Sequence, residues 1–215
     1  MNDWLMLGAG VLLTFATGIF VASEFSLVNL ERNDLESRAT RGEKNLGPSV
    51  RALRKTSTHL SGAQLGITLT TMLTGFLAEP ALTSLLAPTI VSLGISEGAV
   101  EPVALAVGMF IATLFSTLIG ELVPKKMALT HPLATNKFVV RFQLVFTWLT
   151  GWMIVALNAV GNAIVRLFGI EPKEELSSSR TAEELSWRYS EGYSAAKDRP
   201  KTIVTNQAGC QLALA

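Results

Sequence analysis

Four stretches of the chain run almost without charge for the length of a membrane crossing: Trp4 to Ser23, Leu60 to Ala78, Pro102 to Gly120 and Phe142 to Val165. A helix needs about 20 mostly apolar residues to traverse roughly 30 Å of hydrocarbon, so each is a candidate span. A further uncharged run, Pro80 to Ser96, follows the second after only Glu79. Proline removes a helix hydrogen bond and clashes with the carbonyl four residues earlier, so Pro80 and Pro88 predict a half-span or re-entrant helix there. The fourth stretch has Lys137 and Arg141 before it and Arg166 and Lys173 after it. Basic residues at both ends favour a hairpin that dips into the membrane and bends near Gly151 or Asn158, with a plain fourth span as the alternative. The expected fold is therefore all-α and integral to the membrane. It has three transmembrane helices plus a re-entrant or fourth apolar helical region, followed by a cytoplasmic juxtamembrane helix.

The polar segments supply the boundaries. Residues 1–175 read as one transmembrane domain. Beyond it Glu174, Glu175, Glu183 and Glu184, with Ser177 to Ser179, read as a soluble, partly helical exit. Thr181 followed by Glu184 is spaced as a capping box that would start a short helix. From about Tyr193 to Ala215 neither periodicity nor a core is evident, and the tail of 176–215 is expected to become loosely ordered. The start, Met1-Asn2-Asp3, lacks the positive residues of a secretory leader, so the first apolar run reads as retained.

Charge placement sets the orientation. Between Glu31 and Lys55 lie Arg32, Arg38, Arg41, Lys44, Arg51, Arg54 and Lys55, whereas only Asp3 precedes the first span. Positive-inside bias puts the N-terminus outside, the loop 31–55 in the cytoplasm and, after the third span, Lys125 and Lys126 back in the cytoplasm. The cell membrane is the expected location, with the C-terminal tail cytoplasmic.

Composition agrees with the pattern: 49% of residues are apolar and 16% charged, and the mean hydropathy is +0.38. The net charge of +1 predicts no nucleic-acid partner, and the basic loop is expected to face lipid headgroups. Cys210 is the single cysteine and His59 and His131 the only histidines, which disfavours zinc and redox chemistry. Both histidines read as surface residues, and Trp4, Trp148 and Trp152 as interface or lipid-facing anchors.

The sharpest local feature is Gly120-Glu121-Leu122-Val123-Pro124-Lys125-Lys126. The ring of Pro124 opposes the Gly120 carbonyl, which predicts a helix break with that carbonyl free beside the Glu121 carboxylate. Two hard oxygens at a broken membrane helix suit Mg²⁺ or Na⁺; an ordinary helix end in the headgroup region is the plainer reading. Thr113, Thr117 and Glu121 recur every four residues and share a helix face, with Ser116 close by. The second span has a similar stripe of Ser61, Gln64, Thr68 and Thr71. Small polar residues also pack helices together, as Gly62, Gly66 and Gly75 suggest, but Gln64 is bulkier than packing requires. Glu24, after Ser23 on the first span, is an ion-linked carboxylate or a group paired with Lys125 or Lys126. Thr17 and Ser23 add hydroxyls to that helix.

At these residues the chain resembles the transmembrane domain of the CorC/CNNM proteins, the hemolysin-related magnesium transporters of bacteria. The resemblance rests on Phe20-Val21-Ala22-Ser23-Glu24-Phe25-Ser26-Leu27, on Leu60-Ser61-Gly62-Ala63-Gln64-Leu65-Gly66-Ile67-Thr68, on Glu79-Pro80 and on Gly120-Glu121-Leu122-Val123-Pro124-Lys125. It implies a homodimer that binds a dehydrated Mg²⁺ between its helices and exports it in exchange for Na⁺, with Co²⁺ as a second candidate cargo. The family glutamate matching Glu121 is a ligand, and polar side chains of the first two spans complete the shell. Ile67 stands where the family has Asn, so Gln64 and Thr68 are the expected substitutes. Full-length relatives continue into CBS domains, which are not recognisable in this sequence.

The expected metal-binding set is thus Glu121, the Gly120 carbonyl, Thr68, Gln64, Ser23 and Thr17. Glu24, Thr117 and Lys125 would tune the site or couple it to a second cation, and alternating exposure of the site would move the ion. The competing reading is a membrane scaffold or inactive family member in which the acids pair with lysines and the stripes pack helices. An intramembrane enzyme is not expected, because no nucleophile and base pair is recognisable.

Overall fold

In the computed structural model, residues 2–170 are described. The expected juxtamembrane helix from Thr181 and the tail lie outside them. The described chain is helical: α1 (Asp3–Val28), α2 (Arg32–Thr40), α3 (Gly47–Leu53), α4 (Thr56–Ser92), α5 (Glu97–Phe115), a π-helical segment (Ser116–Leu122), α6 (Val123–Thr130) and α7 (Pro132–Leu167). Four runs, Asp3–Val28, Thr56–Ser92, Glu97–Thr130 and Pro132–Leu167, are long and apolar enough to cross a membrane. Over the described residues the chain is an all-α integral membrane protein.

The first difference from the sequence pattern concerns the prolines. Pro80 and Pro88 do not start a half-span; they lie inside α4, which runs unbroken for 37 residues. Neighbouring helices hold it on both sides of Pro80. A Cβ built on Gly10 of α1 would stand 3.2 Å from Ala78 Cβ, and one on Gly108 of α5 would stand 3.2 Å from Leu82 Cβ. These glycines let α1 and α5 approach closely, and the packing offsets the backbone bonds that proline forfeits. At about 1.5 Å per residue α4 is some 55 Å long, so its ends extend past a hydrocarbon layer of roughly 30 Å.

The second difference is α7. It passes straight through Gly151 and Asn158 as one helix of 36 residues rather than a bent hairpin. It lies steeply across α4: a Cβ on Gly62 would meet Thr147 Oγ1 at 2.9 Å, Ile154 Cδ1 at 3.1 Å and Gln143 Nε2 at 3.3 Å. Three turns of α7 thus converge on one residue of α4. Along α1, Phe20 packs against Phe142 and Phe146, with ring centroids 5.1 and 4.6 Å apart, and Ser26 Oγ accepts from Asn136 Nδ2 at 3.0 Å. The opposite face of α7 is apolar and exposed, with Trp148 at 83% and Trp152 at 77%, as lipid-facing anchors require.

This crossing also corrects the reading of His59 as a surface residue. It is only 6% exposed, because α7 covers it. Thr147 Oγ1 lies 3.0 Å from His59 Nδ1, and Gln143 Nε2 donates to the His59 carbonyl at 2.9 Å.

The short helices α2 and α3 fold against the ends of the long ones. Leu27, Leu35, Leu46, Ala52, Leu53, Leu60 and Val140 form a common apolar core there. The turn between them uses positive φ at Gly42 (91°) and Asn45 (64°), a region open to glycine and tolerated by asparagine. At the far end, Ile90, Val100 and Ala104 join α4 to α5.

Candidate functional site

Helices α1, α4 and the α5–π–α6 run line an open-sided cavity of about 570 Å³. Thr17 and Glu24 line it from α1, Gln64, Thr68 and Thr71 from α4, and Thr113, Thr117, Gly120 and Glu121 from the third run. Two carboxylates, an amide and several hydroxyls from three helices therefore share one space.

Local chain geometry explains the third wall. Residues 113, 117 and 121 line the cavity together with 112, 116 and 120, two rows with a step of four. On an α-helix each step of four drifts by about 40°. The π segment opposes the drift because its turns are wider, as in the bond from the Val123 N–H to the Leu118 carbonyl five residues back. The expected helix break at Pro124 is therefore replaced by a π segment and a helix that continues to Thr130. Pro124 itself seats on α1, where a Cβ on Gly18 would lie 3.0 Å from Pro124 Cγ and 3.3 Å from the Ile119 carbonyl oxygen. Gly120 is buried against Thr14.

Two residues proposed from the sequence stand apart from the lining. Ser23 is fully buried and its Oγ has no hydrogen-bond partner among the described residues; it neighbours Glu24 in sequence but does not line the cavity. Lys125 does not line it either, but its Nζ sits 4.5 Å from the centroid of the Phe25 ring, and Phe25 does. Ser61, the first residue of the α4 stripe, is turned to α7, where its hydroxyl donates to Asn158 Oδ1 at 3.1 Å.

Hydrogen bonds decide which oxygens remain available. Thr17 Oγ1 and Thr70 Oγ1 are 2.8 Å apart, joining α1 to α4 inside the bundle, and Thr70 in turn donates to the Gly66 carbonyl at 2.8 Å. Thr68, which lines the cavity, donates to the Gln64 carbonyl at 2.9 Å, a bond that uses its proton and not its lone pairs. Gln64 Nε2 lies 3.4 Å from Glu24 Oε1, a long contact that keeps amide and carboxylate adjacent. Among the described residues neither Glu24 nor Glu121 is in an ion pair; the four pairs present all involve Glu36, Asp34 or Glu43.

The donor set is hard and weakly charged. Among the described residues no three His, Cys, Asp or Glu side chains converge as a metal cluster. Two carboxylates supplemented by hydroxyl, amide and carbonyl oxygens suit a cation that retains part of its water, as Mg²⁺ commonly does. Thr74 and Phe25 also line the cavity and were not singled out from the sequence. Thr74 follows Thr71 by three residues and is recoverable from helix periodicity; Phe25 carries no donor and gives no such signal.

Comparison with known proteins agrees with this architecture. Residues 8–197 match the family model described as the Cyclin M transmembrane N-terminal domain, CNNM. UPF0053 protein MT1890 of Mycobacterium tuberculosis is 43% identical over 173 residues, which cover 80% of this chain and 38% of the relative. The uncharacterized protein MT1889 of the same organism is 35% identical over 184 residues, 86% of this chain and 52% of the relative. UPF0053 protein YhdT of Bacillus subtilis is 32% identical over 191 residues, 89% of this chain and 41% of the relative. The chain thus spans between about two fifths and half the length of these relatives. With the family model matched over most of its length and the membrane helices in place, the chain belongs to the CNNM family, a family associated with metal transport across membranes.

Proposed function

We propose that this chain forms the ion-binding membrane part of a divalent-cation transporter, with Mg²⁺ as the principal cargo and Co²⁺ as an alternative. The observation that carries this reading is the convergence of Glu24, Gln64, Thr17, Thr68, Thr117 and Glu121 on one cavity. Intramembrane carboxylates are costly and mark ion pathways, and here they are grouped without an ion pair among the described residues. Mg²⁺ would bind Glu121 directly, with Gln64, Thr68 and the Gly120 carbonyl nearby and Glu24 balancing charge. Na⁺, also a hard cation, would compete for the same oxygens, which supports Na⁺ as the ion exchanged for Mg²⁺. The N-terminus faces outward and the loop 31–55 the cytoplasm of the cell. Thr68, Thr71, Thr113, Thr117 and Glu121 are exposed on this single chain, and a second copy packed on that side would shield them, giving a homodimer.

Titration calorimetry on purified protein in detergent tests the reading. Saturable Mg²⁺ binding is expected, weakened by Na⁺, with Glu121→Gln reducing affinity at least about tenfold, or roughly 1.4 kcal/mol. A scaffold reading draws on the threonines that bond their own helix backbone, such as Thr14 to Gly10 and Thr74 to Thr70. A scaffold would bind no Mg²⁺ and would be indifferent to Glu121→Gln.

A further inference from the structure

Lys125 follows Glu121 by four residues and stands over Phe25, which lines the cavity that holds two carboxylates. It forms no ion pair among the described residues. Its ammonium instead rests 4.5 Å from the centre of the Phe25 ring, and Phe25 follows Glu24 directly. A lysine carries a compact charge on a flexible four-carbon stem, and a cation over an aromatic face is held by a contact weaker than a carboxylate offers in a poorly solvated space. Lys125 as a whole is half-buried.

We propose that Lys125 is a tethered counter-cation of this cavity, resting on Phe25 when a metal ion holds the carboxylates and moving onto Glu24 or Glu121 when the ion departs. The inference rests on the proposed cation site. It adds a reason for the site to release its cargo: the lysine competes for the same charges and neutralises them afterwards. Phe25 sets the strength of that competition by offering the ammonium a second resting place. Lysine suits this role because it moves as a point charge, and Glu121 followed by Lys125 has the favourable order for a pair four residues apart on a helix.

The test is Mg²⁺ calorimetry on the full chain with Lys125→Met, Lys125→Arg, Phe25→Leu and the double variant Phe25→Leu with Lys125→Met. Lys126→Met, an exposed neighbour, controls for the general loss of one positive charge. Circular dichroism and gel filtration confirm that each variant is folded. Lys125→Met is expected to tighten Mg²⁺ binding by about three- to tenfold and Lys126→Met by less than twofold. Lys125→Arg, which keeps the charge, should shift binding less than Lys125→Met does. Phe25→Leu should weaken binding by about threefold in the presence of Lys125 and have no effect in its absence. Equal effects of Lys125→Met and Lys126→Met, or a Phe25→Leu effect that persists without Lys125, would overturn the inference while leaving the cation site intact. A folded wild type that binds no Mg²⁺ overturns the site and the inference with it.

Discussion

Ser23 and Glu24 are adjacent in sequence, yet one is sealed in the bundle and the other lines the cavity. Successive residues on a helix point about 100° apart, so adjacency to a carboxylate says little about sharing its site. A buried hydroxyl with no partner keeps its desolvation penalty without a compensating bond. Replacing Ser23 with Ala is therefore expected to leave thermal stability within about 1 kcal/mol of wild type or slightly raise it. Calorimetry should find its Mg²⁺ affinity within twofold. The threonine row ending at Glu121 was legible because residues four apart share a face, and the structure gathers 113, 117 and 121 on one wall. His59 was not legible as a buried group, because what covers it lies 88 residues away on α7.

At the scale of elements, glycine positions decide how closely the helices meet. A Cβ on Gly66 would stand 2.6 Å from three atoms of the Phe20 ring, and that ring is held from behind by Phe142 and Phe146. Neither side has room to yield. Gly66→Ala is expected to destabilise the bundle by about 1–3 kcal/mol through overpacking, read as a lower melting temperature in detergent. Gly75→Ala, where an added Cβ meets nothing within 4 Å, is the matched control and should melt as wild type. The apolar runs announced where all four long helices lie, while the prolines of α4 and the basic residues flanking α7 misled about their form. Pro80 and Pro88 break an isolated helix, but α4 runs on uninterrupted with neighbouring helices packed at Ala78 and Leu82, and contacts between distant segments are absent from a local pattern. The π segment was hidden for a similar reason. Pro124 signals a disturbed helix, but whether it ends or widens depends on the seat that Gly18 provides.

For the molecule as a whole, the charged loop forms a cap over one end of the bundle. Glu36 Oε1 accepts from Arg32 Nε at 3.0 Å and lies 3.4 Å from Arg54 on the next segment. The Arg32 hydrogen bond first, and the nearby Arg32 and Arg54 charges with it, hold the Glu36 carboxyl below its ordinary value of 4.5. A lowered folded value means that any stabilisation is fully present above 4.5 and is lost as the pH falls through the lower folded value. The difference in melting temperature between wild type and Glu36→Gln is thus expected to be flat from pH 7 to pH 5 and to shrink below 4.5. High salt should diminish it throughout, since these side chains are solvent-exposed and screened.

The steep crossing of α7 over α4 has a mechanical meaning. A rod held along one part and free beyond it behaves as a lever: α1 and α4 hold α7 from Asn136 to Asn158, and Gly62, two residues before Gln64, is among the held points. About 14 Å of α7 extends beyond Asn158 toward Leu167, so a tilt of about 10° would sweep its far end through roughly 2 Å. The same tilt would act at the held points with a short arm, trading travel for force. A large, gentle displacement at the end of α7 would then reach Gln64 and the cavity as a small, firm one.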